Sequence, residues 1–217
     1  MRTMIIIGFI SFLLGCSHTV LSTISPAVNI DSSYDEKMKG PVVLVIEHNL
    51  NAVHQKVKPS THICSAHSYS VMLGDDLASS IKATTDAIFE QVVEQSALPT
   101  KDEMQEKGIQ GTIYVRINRF YPAISFSRGV WETHGVASCD IVLDVTVTDS
   151  GNKDLLVTTV EGTTMAEGGR VHAFCGGGAN ILSNAISQGM RETMERYAER
   201  VSNSDKIRKA VGVKRNG

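Results

Sequence analysis

Apolar residues fall at two different spacings along the chain, and each spacing predicts a different element. In residues 73–95, LGDDLASSIKATTDAIFEQVVEQ, the positions Leu77, Ile81, Thr84, Ile88 and Val92 recur at helical spacing. Asp75 and Asp76 open that stretch, where carboxylates meet the positive end of the helix dipole, and Pro99 follows it. In residues 179–201, Leu182, Ala185, Ile186, Met190, Thr193, Met194 and Tyr197 form one stripe, with Arg191, Glu192, Glu195 and Glu199 largely opposite. Both stretches read as amphipathic helices.

The remaining patterned segments read as strands. After Pro41 comes VVLVIEH, a continuous β-branched run suited to a central strand. Tyr69, Val71 and Leu73 alternate over a short stretch. Ile113, Val115 and Ile117 alternate with Tyr114, Arg116 and Asn118, but further on the apolar positions become Ile124 and Phe126. The phase slips by one residue, which predicts a bulge or edge at Tyr121-Pro122. In CDIVLDVTV, Cys139, Ile141, Leu143, Val145 and Val147 share one face, and Asp140, Asp144 and Thr146 the other. The turn residues 149–152, DSGN, then join this strand to LLVTTVEGTT as a hairpin.

Two amphipathic helices and one sheet predict an α+β fold. The economical arrangement is a two-layer sandwich, a mostly antiparallel sheet with both helices on one face. The expected organisation is a signal peptide over 1–15, a tether over 16–40 without sustained period, a folded domain over 41–202, and a loose basic tail over 203–217.

The start of the chain carries the clearest functional signal. Arg2 is the only Lys, Arg, Asp or Glu before position 31, and residues 4–14, MIIIGFISFLL, are nearly all apolar. That run is short for a membrane-spanning helix, which needs ~20 residues, and it fits a secretory signal peptide. Leu13-Leu14-Gly15-Cys16 resembles the lipobox of bacterial lipoproteins. The resemblance implies cleavage before Cys16 and lipidation of its sulfur. The residue after the cysteine is Ser17, not Asp, which in lipoproteins of the enteric type implies sorting to the outer membrane, facing the periplasm. The order of elements also resembles that of small periplasmic α/β domains. These include the lipoprotein of the lipopolysaccharide transport assembly, the curli secretion lipoprotein and the YajG-like lipoproteins.

Charge and cysteine usage narrow the picture further. The net charge is −2, so there is no electrostatic case for a nucleic-acid partner. Beyond Cys16 lie Cys64, Cys139 and Cys175. In an oxidising compartment three cysteines suggest one bridge and one free thiol. Because Cys139 faces the core side of its strand, Cys64 and Cys175 are the expected disulfide.

Metal and catalytic chemistry find little support in the motifs. His62, Cys64, His67, His172 and Cys175 are metal-ligand types, but their spacing matches no strong motif and oxidation would remove both thiolates. The glycine-rich FCGGGAN lacks the preceding strand and the Lys-Ser/Thr of a phosphate loop. No nucleophile elbow or acid–base pair is evident. The expectation is a protein without cofactor or metal that is not an enzyme. Arg119, Tyr121, Arg128 and Trp131 mark the expected interaction surface. The expected role is a lipid-anchored scaffold or assembly factor with an envelope protein partner, or alternatively a periplasmic binding module for a small or amphiphilic ligand.

Overall fold

The structure is a computed structural model that describes residues 16–27, 29–32, 36–47, 53–129, 133–171 and 175–212, with the backbone alone at 169–171. The expected signal peptide, Trp131, His172 and the last residues of the tail lie outside the described residues. In chain order the elements are β1 (Ser17–Val20), β2 (Val42–Glu47), β3 (His54–Val57), β4 (Ser68–Met72), α1 (Gly74–Ile88), β5 (Val92–Gln95), α2 (Lys101–Glu106), β6 (Gly111–Arg128), β7 (Thr133–Asp149), β8 (Asp154–Val171), α3 (Gly178–Ser202) and α4 (Asp205–Val211).

The fold is an α+β sandwich built on a five-stranded sheet of order β5-β2-β6-β7-β8. The sheet is mixed rather than mostly antiparallel. β6, β7 and β8 form an antiparallel meander, while β2 runs parallel to both β5 and β6. Connection length decides the difference. The Asp149–Asp154 turn lets β7 fold straight back as β8, whereas β2 reaches its parallel neighbours only after helical excursions. The alternation of β7 is as expected, with Cys139, Ile141, Leu143, Val145 and Val147 all buried.

The helices α1 and α3 cover one face of this sheet. Leu77, Ile81, Thr84 and Ile88 of α1 are buried, as is the whole expected stripe of α3. Where the two helices meet, the Thr85 and Tyr197 hydroxyls share a hydrogen bond of 2.8 Å. Helix α1 stops at Ile88 rather than running to 95, because Phe89 turns extended and residues 92–95 pair with β2. The sheet's opposite face is covered in part by α2, whose Met104 packs with Ile109, just beyond the helix, over Val43 and Val45 of β2.

β2 pairs with β6 only as far as Arg116, so the far half of β6 has an open edge. Residues 55–61 occupy it: the Gln55 amide donates to the Phe120 carbonyl at 2.7 Å and Ser60 N–H to the Ile124 carbonyl at 3.0 Å. That open edge is also where Pro122, which has no N–H to give, is tolerated. The register shift lies at Ile117/Arg119 rather than at Tyr121-Pro122, so the bulge is real but falls earlier in the strand.

Over this far half lies a second sheet of order β1-β4-β3, with β1 parallel and β3 antiparallel to β4. Its inner side chains Val20, Val57, Tyr69 and Val71 share the core with Ile124 and Phe126. The second layer is therefore two helices and a small sheet side by side.

Two expected spans differ from the structure. Residues 17–40 are not a free tether where described: β1 pairs with β4, Val20, Ser25 and Met38 are buried, and the N–H groups of Ser25 and Ala27 donate to Ser80 and Thr84 on α1. An edge strand and a row of helix hydroxyls satisfy backbone groups that a tether would leave to water. The tail, in turn, begins with α4, whose Ile207 and Val211 are buried.

Candidate functional site

The small sheet and the loops beside it bring together a disulfide, a histidine pair and an exposed cysteine. Cys16 is exposed, and its carbonyl accepts from Ser68 N–H at 3.0 Å. From Ser17 onward the chain is in register with β4. Alternation turns His18 and Val20 inward and Ser17, Thr19 and Leu21 outward.

His18 meets His67 at the start of β4, with Nε2 of the first 2.8 Å from Nδ1 of the second. The ring centroids are 5.1 Å apart, so the rings meet edge to edge rather than one over the other. Burial, and then the charge of His18, holds the His67 imidazole below its ordinary value.

Beside this pair Cys64 and Cys175 form a disulfide with a Cα–Cα distance of 5.9 Å. The bridge ties the loop before β4 to the loop before α3. Both half-cystines take positive φ, 63° and 55°, in these tight loops. The bonded sulfurs are lost to metal, and His62 is exposed on the loop. Among the described residues no group of three His, Cys, Asp or Glu could hold a metal ion. His18 and His67 are two imidazoles where a structural zinc takes about four ligands. Cys139 is fully buried, and burial pushes its thiol up to about 12, so it is inert as a nucleophile.

The outer rim of the small sheet borders an open cleft of about 550 Å³. Leu21, Met72, Val53 and His54 line it, together with Asp75 and Asp76 from the first turn of α1. The Ser22 hydroxyl donates to the Asp76 carboxylate. Sequence reading missed this cleft. The alternation of SHTV against SYSVM was its available signal, and the polar look of SHTV hid it.

The expected interaction surface is only partly assembled. Arg119 and Tyr121 lie on the open face of the large sheet, where Arg119 donates to Glu161 at 2.8 Å and Tyr121 is 60% exposed. One row along, Arg116, Asn118 and Thr159 all donate to Asp144. The Arg116 hydrogen bond is the main cause holding the Asp144 carboxyl below its usual range. Arg116, Arg119, Asp144 and Glu161 of this face are thus paired among themselves, and its exposed apolar side chains include Tyr121, Val157 and Met165. Arg128 is exposed but falls on the alternate parity at the far end of β6, away from Arg119 and Tyr121.

No family model matches the sequence, and no curated protein matches it. The fold is similar to that of protein XCC0632 from Xanthomonas campestris, described as DUF330, at 10% identity and a TM-score of 0.50, over 84% of this chain and 92% of that one. A neuraminyllactose-binding hemagglutinin homolog from Helicobacter pylori aligns at 10% identity and a TM-score of 0.38, over 79% and 88%. A minor lipoprotein from Acinetobacter baumannii aligns at 10% identity and a TM-score of 0.35, over 82% and 98%. The last two superpose too loosely to bear on this chain, and the first speaks for the fold alone.

Proposed function

We propose that the protein is a lipid-anchored lipoprotein of the bacterial outer membrane that faces the periplasm and acts as a non-enzymatic scaffold or assembly factor. The observation that carries this reading is Cys16: an exposed thiol, preceded in the sequence by Leu13-Leu14-Gly15 and followed directly by β1. A fatty acyl group there meets no steric obstacle, and two or three chains on one residue hold a domain durably. The Cys64–Cys175 bridge suits an oxidising compartment. No helix among the described residues is long and apolar enough to cross a membrane.

The partner would be another envelope protein, met on the open sheet face around Tyr121, and no nucleic acid is implied by a net charge of −2. Intact mass of the protein from its native membrane tests the anchor. Photo-crosslinking from position 121 in cells tests the partner. Acyl mass on Cys16 and one discrete crosslinked protein are expected; an unmodified Cys16 would sink the proposal.

The cleft lined by Leu21, Met72, Asp75 and Asp76 favours a second reading, a binding module for a small amphiphilic ligand. Native mass spectrometry of the isolated protein separates the two, since a co-purifying small molecule would support the second.

A further inference from the structure

We infer that the outer face of the three-stranded sheet lies directly on the bilayer that holds the Cys16 lipid. The inference rests on the lipid-anchor reading above and adds an orientation to it.

Slack is the first argument. The Cys16 carbonyl is bonded to Ser68 N–H, and Ser17 already pairs with Ser68. No tether remains between the lipidated residue and the folded domain. The bilayer surface must then meet the domain where β1 begins.

The second argument is the chemistry of the adjoining face. The outward positions of β1 are Ser17, Thr19 and Leu21; those of β4 are Ser68, itself buried, Ser70 and Met72; those of β3 are His54 and Lys56, set opposite Met72 and Ser70. Small hydroxyl residues, two large apolar side chains and the Lys56 cation suit a headgroup boundary, with Asp75 and Asp76 of α1 at its edge beside Met72, one of them bonded to Ser22. Leu21 is 75% exposed and Met72 is 61% exposed. Ile24, also exposed, follows Leu21 where the chain crosses to α1. These side chains are costly to leave in water and need no pocket if lipid covers them.

The third argument is the layer order. The small sheet turns its inner side to the core, beneath the same face of the large sheet that α1 and α3 cover. Its outer side and the open face of the large sheet therefore point in opposite directions. A domain resting on the small sheet presents Tyr121 and Val157 to the periplasm, where a protein partner can reach them.

The lipidated protein itself provides the test. Met72→Cys and, as a control, Val157→Cys each supply one reactive thiol, since Cys64 and Cys175 are bonded and Cys139 is buried. Each variant, labelled with an environment-sensitive fluorophore, is placed in vesicles of phosphatidylethanolamine and phosphatidylglycerol containing lipids spin-labelled at the headgroup. The expected result is a blue-shifted emission at 72 that the headgroup quencher reduces several-fold more than at 157. Equal quenching at the two positions, in protein whose acyl mass on Cys16 is confirmed, overturns the orientation and leaves the anchor standing. A shift at 72 without lipid quenching assigns the face to a protein contact and also overturns it. Absence of acyl mass overturns the anchor and the orientation together.

Discussion

The phenol of Tyr69 donates to the backbone carbonyl of Cys175 at 2.7 Å, and so joins the centre strand of the small sheet to the disulfide. Burial that excludes water pushes this phenol up to about 12, which keeps it a donor throughout the physiological range. Two links, one covalent and one polar, thus hold β4 against the entrance to α3. The strand that follows the lipid cysteine leans on that joint.

Breaking the covalent link should weaken the whole domain. Cys64 and Cys175 are 111 residues apart. Closing a loop of that length stabilises by about 5 kcal/mol in the chain-entropy model. Cys64→Ser with Cys175→Ser is expected to lower the urea midpoint far more than Tyr69→Phe, which leaves one carbonyl without its donor at a cost of about 1 kcal/mol. Similar midpoints for the double variant and the parent would show that the bridge constrains nothing.

The His18–His67 pair predicts a dependence on pH. In the folded protein the His67 imidazole is held below its ordinary 6.5, by burial first and by His18 second. On acidification the unfolded chain therefore takes up its proton before the folded one does. Stability from this group is complete above pH 6.5 and is lost as pH falls below it, until the folded His67 also titrates. The surrounding groups are His18 across the pair and Tyr69 beside it, with ring centroids 5.4 Å from His18 to Tyr69. Thermal midpoints of parent and His67→Gln protein, taken from neutral to mildly acid pH, should converge as pH drops. Parallel curves would rule out a role for the pair.

Much of this architecture could be read from the chain, and the failures have physical causes. The face of β7 and the stripe of α3 were legible because long elements buried on one side repeat their period many times. The phase slip in β6 was legible too, but its position was not: Pro122 marks the open edge, whereas the extra residue sits between Ile117 and Arg119. Val92 continues the helical spacing of Ile88, so periodicity alone extends α1 through it; pairing of Val42 with Val92 makes it a strand instead. β1 has only four residues and becomes a strand because β4 offers it an edge. For α2 the chain does carry a signal, since Thr100 and Glu103 form a reciprocal capping box. At the candidate site the disulfide was legible from residue types and strand faces, while the meeting of His18 with His67 depends on the β1–β4 register.

Thiol chemistry offers a direct count. Burial pushes the Cys139 thiol up to about 12 and removes it from solvent. In acylated native protein a thiol reagent is expected to find no reactive group, and denaturation without reductant should expose one. A reactive thiol in the folded, acylated state would mean that the core around Cys139 opens or that Cys64 and Cys175 are not paired.

A close approach of helix backbone to sheet sets the last prediction. A Cβ added at Gly162 on β8 would stand 2.4 Å from the Gly189 carbonyl oxygen and 2.8 Å from the Thr193 backbone nitrogen. Backbone cannot rotate aside as a side chain can, so α3 must lift from β8. The Thr193 hydroxyl, which donates to the Gly189 carbonyl at 2.7 Å, lies in the same contact and stiffens that turn of the helix. Overpacking of this kind costs about 1–3 kcal/mol. Gly162→Ala is therefore expected to lower the thermal midpoint by several degrees. Gly151→Ala, in the hairpin turn, meets only the Asp149 side chain at 3.2 Å and should change it little. Differential scanning calorimetry of the two variants decides the matter. Equal midpoints would mean that α3 does not press on β8 as closely as the structure places it, and the layer packing described above would need revision.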